Sequence, residues 1–174
     1  MFALLVMTSV ALAQKPVTVG GAPMYADKNI IENAVNSKDH TTLVAAVKAA
    51  GLVETLQGPG PFTVFAPVNA AFGALPAGTV DTLLKPENKG TLTAVLTYHV
   101  VPGRLNAQAL ERLIKQGNGK AKLKTVQGEE LTASSSGDTI TITDAKGGAA
   151  KITISNVNQS NGVIHVIDHV LLPK

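Results

Sequence analysis

The 174-residue chain contains no cysteine and no tryptophan, and aromatic side chains make up only 3% of it. Without cysteine it has no disulfide bonds, no thiolate nucleophile and no thiolate ligands for a metal. The shortage of aromatic rings also argues against a nucleic-acid partner, because single strands are usually bound by stacking bases on such rings. The net charge of +3 is small, and we interpret it as a contribution to solubility.

Sequence motifs of the common enzyme classes are also missing. There is no Gly-x-Ser-x-Gly elbow of a hydrolase. The glycine-rich segments lack both the Gly-Lys-Ser/Thr ending of a phosphate loop and the Gly-x-Gly-x-x-Gly spacing of a dinucleotide site. We therefore expect no catalytic residues, no enzymatic activity and no cofactor.

The first 13 residues form an uncharged apolar run that ends in Ala11-Leu12-Ala13. This pattern is typical of a secretory signal with its cleavage site, although the preceding basic residues are absent, so a buried N-terminal strand is the alternative. The run is too short to span a membrane, and we expect no stable membrane insertion. The sequence thus predicts a signal peptide over 1–13, an irregular lead-in over 14–26 and one domain over 27–174, in a secreted or periplasmic protein.

Large apolar anchors are concentrated in one stretch, residues 60–72, which holds three of the four phenylalanines: Phe62, Phe65 and Phe72. Apolar residues occupy both alternating sets of positions from 62 to 66, which predicts a strand covered on both faces. Pro67 ends this strand, and Asn69 is expected to cap a short helix that follows. We interpret the stretch as a packing centre.

The spacing of apolar residues changes along the chain. Before residue 117, and outside the strand at 62–66, it has the helical period, in several short segments separated by glycine and proline. From residue 120 it has a period of two, with a hairpin turn at Gly137-Asp138, which predicts an antiparallel meander with one solvated face. The chain ends in an apolar strand over 163–172. Together these patterns predict an α+β fold.

The predicted last strand contains His165, Asp168 and His169, so a metal site has to be considered. The two histidines would lie on one face but about 13 Å apart, too far to ligate the same zinc ion, and Asp168 would point to the opposite face. A metal would need His40 or His99 as well. We expect no metal site and interpret the histidines as hydrogen-bonded core residues.

Two further patterns leave alternatives open. Tyr98 and His99 follow a helical pattern and either continue it or begin a strand; in both cases at least one of them lies at the edge of the core. Lys120, Lys122 and Lys124 alternate along a predicted outer strand. They either bind an anionic partner or keep the strand edge from pairing with another molecule.

Three motifs in fixed order carry a family resemblance. Residues 60–72 (GPFTVFAPVNAAF), 96–103 (LTYHVVPG) and 161–173 (NGVIHVIDHVLLP) resemble the two homology boxes and the central Tyr-His motif of the fasciclin-like family. The resemblance implies an α+β fold in which N-terminal helices pack around a twisted antiparallel or mixed β-sandwich, or wedge. The boxes would be neighbouring central strands, with these structural residues: Phe62, Phe65, Asn69, Phe72, His165 and Asp168.

The resemblance also implies a function. Fasciclin-like domains are non-catalytic, extracellular adhesion modules, so the expected partners are a cell-surface or matrix protein or a polysaccharide, and we expect a monomer. Tyr98 and His99 match the motif linked to adhesion in animal members, where they either bind or hold the fold. Animal members also carry an Asp-Ile pair at the positions of Asn156 and Val157, and this difference argues against integrin-type recognition. The alternative function is a periplasmic carrier of a small apolar or anionic ligand.

Overall fold

The computed structural model describes residues 14–174, so the predicted signal peptide lies outside the described part of the chain. The helices are α1 Ile30–Ala34, α2 Thr41–Ala50, α3 Val53–Gln57, α4 Asn69–Gly73, α5 Thr79–Leu83, α6 Lys89–Tyr98 and α7 Ala107–Gln116. The strands are β1 Val17–Val19, β2 Ala22–Met24, β3 Phe62–Pro67, β4 Val100–Pro102, β5 Lys120–Lys124, β6 Glu130–Ser136, β7 Thr139–Thr143, β8 Ala149–Gln159 and β9 Gly162–Ile167. The predicted α+β class is confirmed.

Strands β3 to β9 form one mixed sheet in the order β4-β3-β9-β8-β7-β6-β5. Strands β3 and β9 are parallel, with Phe62 opposite Gly162 and Pro67 opposite Ile167, and the other neighbours are antiparallel. The two homology boxes are therefore adjacent interior strands, second and third from the β4 edge of the described sheet, and the prediction that they are neighbours is confirmed.

The sheet curves strongly, and strand β8 is where it bends. The first residues of β8 pair with β7 and its remainder with β9, with register shifts between Ile152 and Ile154 and between Ile154 and Val157. Such bulges bend a strand and increase its twist. At the far edge the N–H of Val126 donates to the carbonyl of Val100 at 2.8 Å, which brings the chain after β5 back to β4. The predicted sandwich is thus a single, nearly closed sheet.

Alternating side chains of β3 enter two separate hydrophobic clusters. Val64 and Ala66 pack in a cluster with the helices of the first half of the chain. Phe65 points into a second cluster inside the curved sheet, together with Leu110 and Ile114 of α7. Because each face of β3 packs in a different hydrophobic cluster, the prediction that this strand is buried on both sides is confirmed.

The prediction that the lead-in over 14–26 is irregular was wrong, because this stretch contains two paired strands. Strands β1 and β2 form an antiparallel hairpin in which Val17 lies opposite Met24. Its turn is Gly20-Gly21, whose φ angles of 58° and 76° suit the tight hairpin turns that glycine favours. Val19 and Met24 are buried in the helix-side cluster. Strands of three residues are too short to show alternation in sequence.

The predicted helix-capping role of Asn69 is wrong. Helix α4 begins at Asn69 itself, and its cap, Val68, forms no side-chain hydrogen bond. The Asn69 amide instead accepts the N–H of Thr42 at 3.0 Å and donates to the carbonyl of Lys38 at 2.8 Å. It therefore ties the corner after β3 to the start of α2, which is distant in sequence.

Candidate functional site

Tyr98 and His99 lie at the junction between helix α6 and strand β4. Tyr98 is the last residue of the helix and His99 is its C-cap, so the helical alternative holds through Tyr98. Their exposed fractions are only 0% and 2%. Neither side chain can contact a partner in this conformation.

The Tyr98 hydroxyl joins two segments of the meander. It donates to the carbonyl of Glu130 at 3.1 Å and accepts the N–H of Ala145 at 2.9 Å. Burial raises the pKa of Tyr98, and the carboxylates of Asp144 and Glu129 raise it further, against the Ala145 hydrogen bond. The hydroxyl therefore stays protonated and can keep both contacts.

The His99 ring joins helix α6 to the C-terminal segment. Its Nδ1 lies 2.7 Å from the carbonyl of Val95, and its Nε2 accepts the N–H of Leu171 at 2.9 Å. These partners assign the proton to Nδ1 in a neutral ring. Burial lowers the pKa of His99 to about 4, although the Val95 carbonyl and Asp144 oppose the shift.

Two other histidines are also buried and hydrogen-bonded, as interpreted from the sequence, whereas His169 is largely exposed and is not the core residue that was expected. His165 stacks on Phe65 with ring centroids 5.8 Å apart, and its Nε2 lies 2.7 Å from the carbonyl of Leu105. His40 contacts the hydroxyl of Ser37 at 2.9 Å and faces the carbonyl of Ala66. Burial lowers the pKa of both His40 and His165, which favours neutral rings.

Asn156 and Val157 form part of the bulged region of β8. Asn156 has a φ of 57°, in the left-handed region, and its side-chain oxygen accepts the N–H of Ala107 at 2.7 Å, at the start of α7. Val157 is fully buried. Both residues therefore have structural roles near the bulge: Asn156 is hydrogen-bonded to α7, and Val157 packs in the hydrophobic core.

The C-terminal strand ends earlier than predicted, which changes the position of Asp168. Strand β9 stops at Ile167, so the strand alternation does not extend to Asp168 and His169. The Asp168 carboxylate accepts the N–H of Lys151 and contacts Nδ1 of His169, both at 2.8 Å. The prediction that Asp168 points to the face opposite His169 was wrong. Burial would raise the pKa of Asp168, but these hydrogen bonds lower it on balance.

No group of three potential ligands for a metal ion occurs among residues 14–174. The Asp168–His169 pair just after β9 is therefore not part of such a group.

A polar cleft of about 610 Å³ opens above the Tyr98 hydroxyl. Both backbone partners of that hydroxyl, Glu130 and Ala145, line this cleft. Its other lining residues are Lys122, Lys124, Gly128, Glu129, Thr132, Asp144 and Lys174. The lysine stripe was the only signal of this cleft in the sequence, because the remaining lining residues come from separate segments: strand β6, two turns and the C-terminus.

Comparison with known proteins shows the family. The family profile of the fasciclin domain matches residues 38–173. The chain belongs to the fasciclin family. Its strand and helix arrangement also resembles a FAS1 domain pair from the insect cell adhesion molecule fasciclin I, with a TM-score of 0.74 over 83% of this chain and 51% of that one. The sequence identity is 16%, so this likeness shows the fold.

Bacterial relatives resemble this fasciclin domain over most of its length. The Synechocystis protein sll1483 is 44% identical over 96% of this chain and 86% of its own. The cell surface glycolipoprotein MPB83 of Mycobacterium bovis is 32% identical over 92% and 68%. The immunogenic protein MPB70 of the same species is 36% identical over 80% and 66%. Among residues 14–174, the helices are all too short or too polar to cross a membrane.

Proposed function

We propose that this fasciclin domain is an exported, non-catalytic adhesion module whose polar cleft contacts a partner on a cell surface or in a matrix. The observation that carries the proposal is the position of the Tyr98 hydroxyl, which bonds to two residues that line the cleft. The names of two relatives support it, since one is a cell surface glycolipoprotein and another belongs to a cell adhesion molecule.

The Tyr-His motif influences the cleft through buried hydrogen bonds to the segments that form it. Tyr98 fixes β6 and the turn after β7, while His99 holds the N–H of Leu171. The next residues of the C-terminal segment bond to the cleft itself: Leu172 donates to Asp144 at 2.9 Å and Lys174 to Glu129 at 3.0 Å. Changes in the motif therefore alter adhesion by displacing cleft residues.

The charges of the cleft favour a protein partner over a polysaccharide. Side chains of both signs line it, with Lys122 and Lys124 close to Glu129 and Glu130. Such mixed charges suit a partner with complementary charged groups. No aromatic side chain lines the cleft to stack against a sugar ring. The ion pair between Lys122 and Glu130 in this cleft, at 3.3 Å, is exposed, so both groups remain available to a partner.

The test compares two doubly charge-reversed variants for binding to cells and matrix of the organism that makes the protein. In K122E/K124E the change lies in the cleft, and we expect at least a tenfold loss of binding. In the control, K48E/K115E, the same change in net charge lies on exposed positions of α2 and α7. Equal binding by the two variants would contradict the proposal.

Export has its own test. Fractionation of the producing cells should place the protein outside the cytoplasm, and N-terminal sequencing of the mature chain should begin near Gln14. A mature chain that retains Met1 to Ala13 would contradict cleavage of the signal peptide.

A further inference from the structure

A second cavity, of about 60 Å³, lies between helices α1, α2 and α3 and the outer face of strand β3. Its lining contains no charged side chain. The polar lining groups are two threonines and two histidines, and the ring nitrogens of His40 and His99 already have partners. This helix-side cavity therefore offers an ion no opposite charge.

The cavity extends along strand β3. Phe62, Val64 and Ala66 line it from one face of β3, and alternate residues along a strand place the ends of this row about 13 Å apart. On the scale where one water needs about 10–15 Å³, a volume of about 60 Å³ holds roughly four to six water-sized groups, which is room for one short, thin chain. The cavity's lining includes the exposed residues Thr55 and Val126, the latter 46% exposed.

We propose that the helix-side cavity binds one unbranched alkyl chain, from an uncharged alcohol or lipid, with the polar head in solvent near Thr55 or Val126. A water molecule would be poorly stabilised there, because a buried water needs two to four polar partners. A charged chain end would lose its hydration inside the cavity without compensation. This site goes beyond adhesion and is separate from the polar cleft.

Helices α1 and α3, which line the cavity on the side opposite β3, can shift to admit such a chain. Helices α1 and α3 have five residues each, and α3 lies between Gly51 and Gly58. Helices of this length are not stable alone and depend on packing. A small outward displacement of either helix would widen the cavity while the sheet beneath it stays in place.

The test is isothermal titration calorimetry of the purified protein with 1-butanol, 1-hexanol, 1-octanol and 1-decanol. We expect one site per chain and an affinity that rises about fourfold for each added methylene, until the chain fills the cavity. Absence of saturable binding, or affinity that is independent of chain length, would overturn the proposal.

Two variants of adjacent residues on α2 locate the site. Val44 is half-buried and lines the cavity, so Val44→Phe should fill it and weaken 1-octanol binding at least tenfold. Ala45 is exposed and is not part of the lining, so Ala45→Phe should bind within twofold of the unchanged protein. Equal affinities in the two variants would place the binding elsewhere and refute the proposal. If Val44→Phe does not fold, Ala34→Leu tests the same lining from α1.

Discussion

The backbone N–H of Leu171 donates a 2.9 Å hydrogen bond to Nε2 of His99, although 72 residues separate the two along the chain. The other ring nitrogen of His99 contacts the carbonyl of Val95 within helix α6. One neutral, buried imidazole thus satisfies a donor and an acceptor that belong to different parts of the fold. This arrangement places His99 of the Tyr-His motif at a buried junction between helix α6 and the C-terminal segment.

Replacing His99 with alanine should destabilise the protein. The change leaves the N–H of Leu171 and the carbonyl of Val95 without their partner and creates a cavity, so we expect a loss of about 3 kcal/mol in the free energy of unfolding. The control is His169→Ala, at a largely exposed side chain, with an expected change of less than about 0.5 kcal/mol. Urea denaturation measures both, and similar losses would contradict the assigned role of His99.

Acid should destabilise the protein through His99. Its pKa is about 4 in the folded state against 6.5 for an ordinary histidine. Between these values the unfolded chain binds a proton that the folded chain does not, so stability falls as the pH is lowered from about 6.5 to about 4. The expected contribution is about 3 kcal/mol, and His40 and His165 add to it in the same direction.

The measurement is the free energy of unfolding at intervals from pH 7.5 to pH 4. The variant His99→Gln should show a shallower decline than the unchanged protein, because it lacks the titrating ring. Identical slopes in the two proteins would show that His99 is not the group responsible.

Tyr98→Phe removes only the hydroxyl and leaves the carbonyl of Glu130 and the N–H of Ala145 without that partner. We expect a loss of about 1 to 2 kcal/mol in stability. Adhesion should also weaken, because both residues line the polar cleft. The control Tyr25→Phe changes a residue that is 41% exposed, and both properties should be unchanged there. A stable Tyr98→Phe protein with full adhesion would contradict the link between motif and cleft.

Asn156 combines an unusual backbone angle with a side-chain hydrogen bond, and two substitutions separate them. Asn156→Gly loses the bond to Ala107 but relieves the φ of 57°, whereas Asn156→Ala loses the bond and keeps the strain. We expect alanine to be less stable than glycine by about 1 kcal/mol at this position. Thermal denaturation compares the two, and equal stability would show that the backbone angle carries no strain.

The amino-acid pattern was sufficient to predict the elements that depend on interactions between residues close in sequence. The hairpin turn at Gly137-Asp138 joins β6 to β7 as expected, because those residues suit a tight turn whatever surrounds them. The alternation of apolar residues around Phe65 predicted a strand with two covered faces, since side chains of a strand alternate in direction. Three separated motifs, read together, were specific enough to indicate the family.

The sequence by itself thus determined the α+β class and the buried strand, because propensity and periodicity act between near neighbours, and its three motifs indicated the fasciclin fold by resemblance. Tertiary structure decided which residue meets which: Asn69 with Thr42, Asp168 with His169, and the Tyr98 hydroxyl with Glu130 and Ala145. It also decided that the Tyr-His motif lies beneath a cleft. Such contacts depend on where the curved sheet brings distant segments together. The spacing of residues along the chain does not predict those positions.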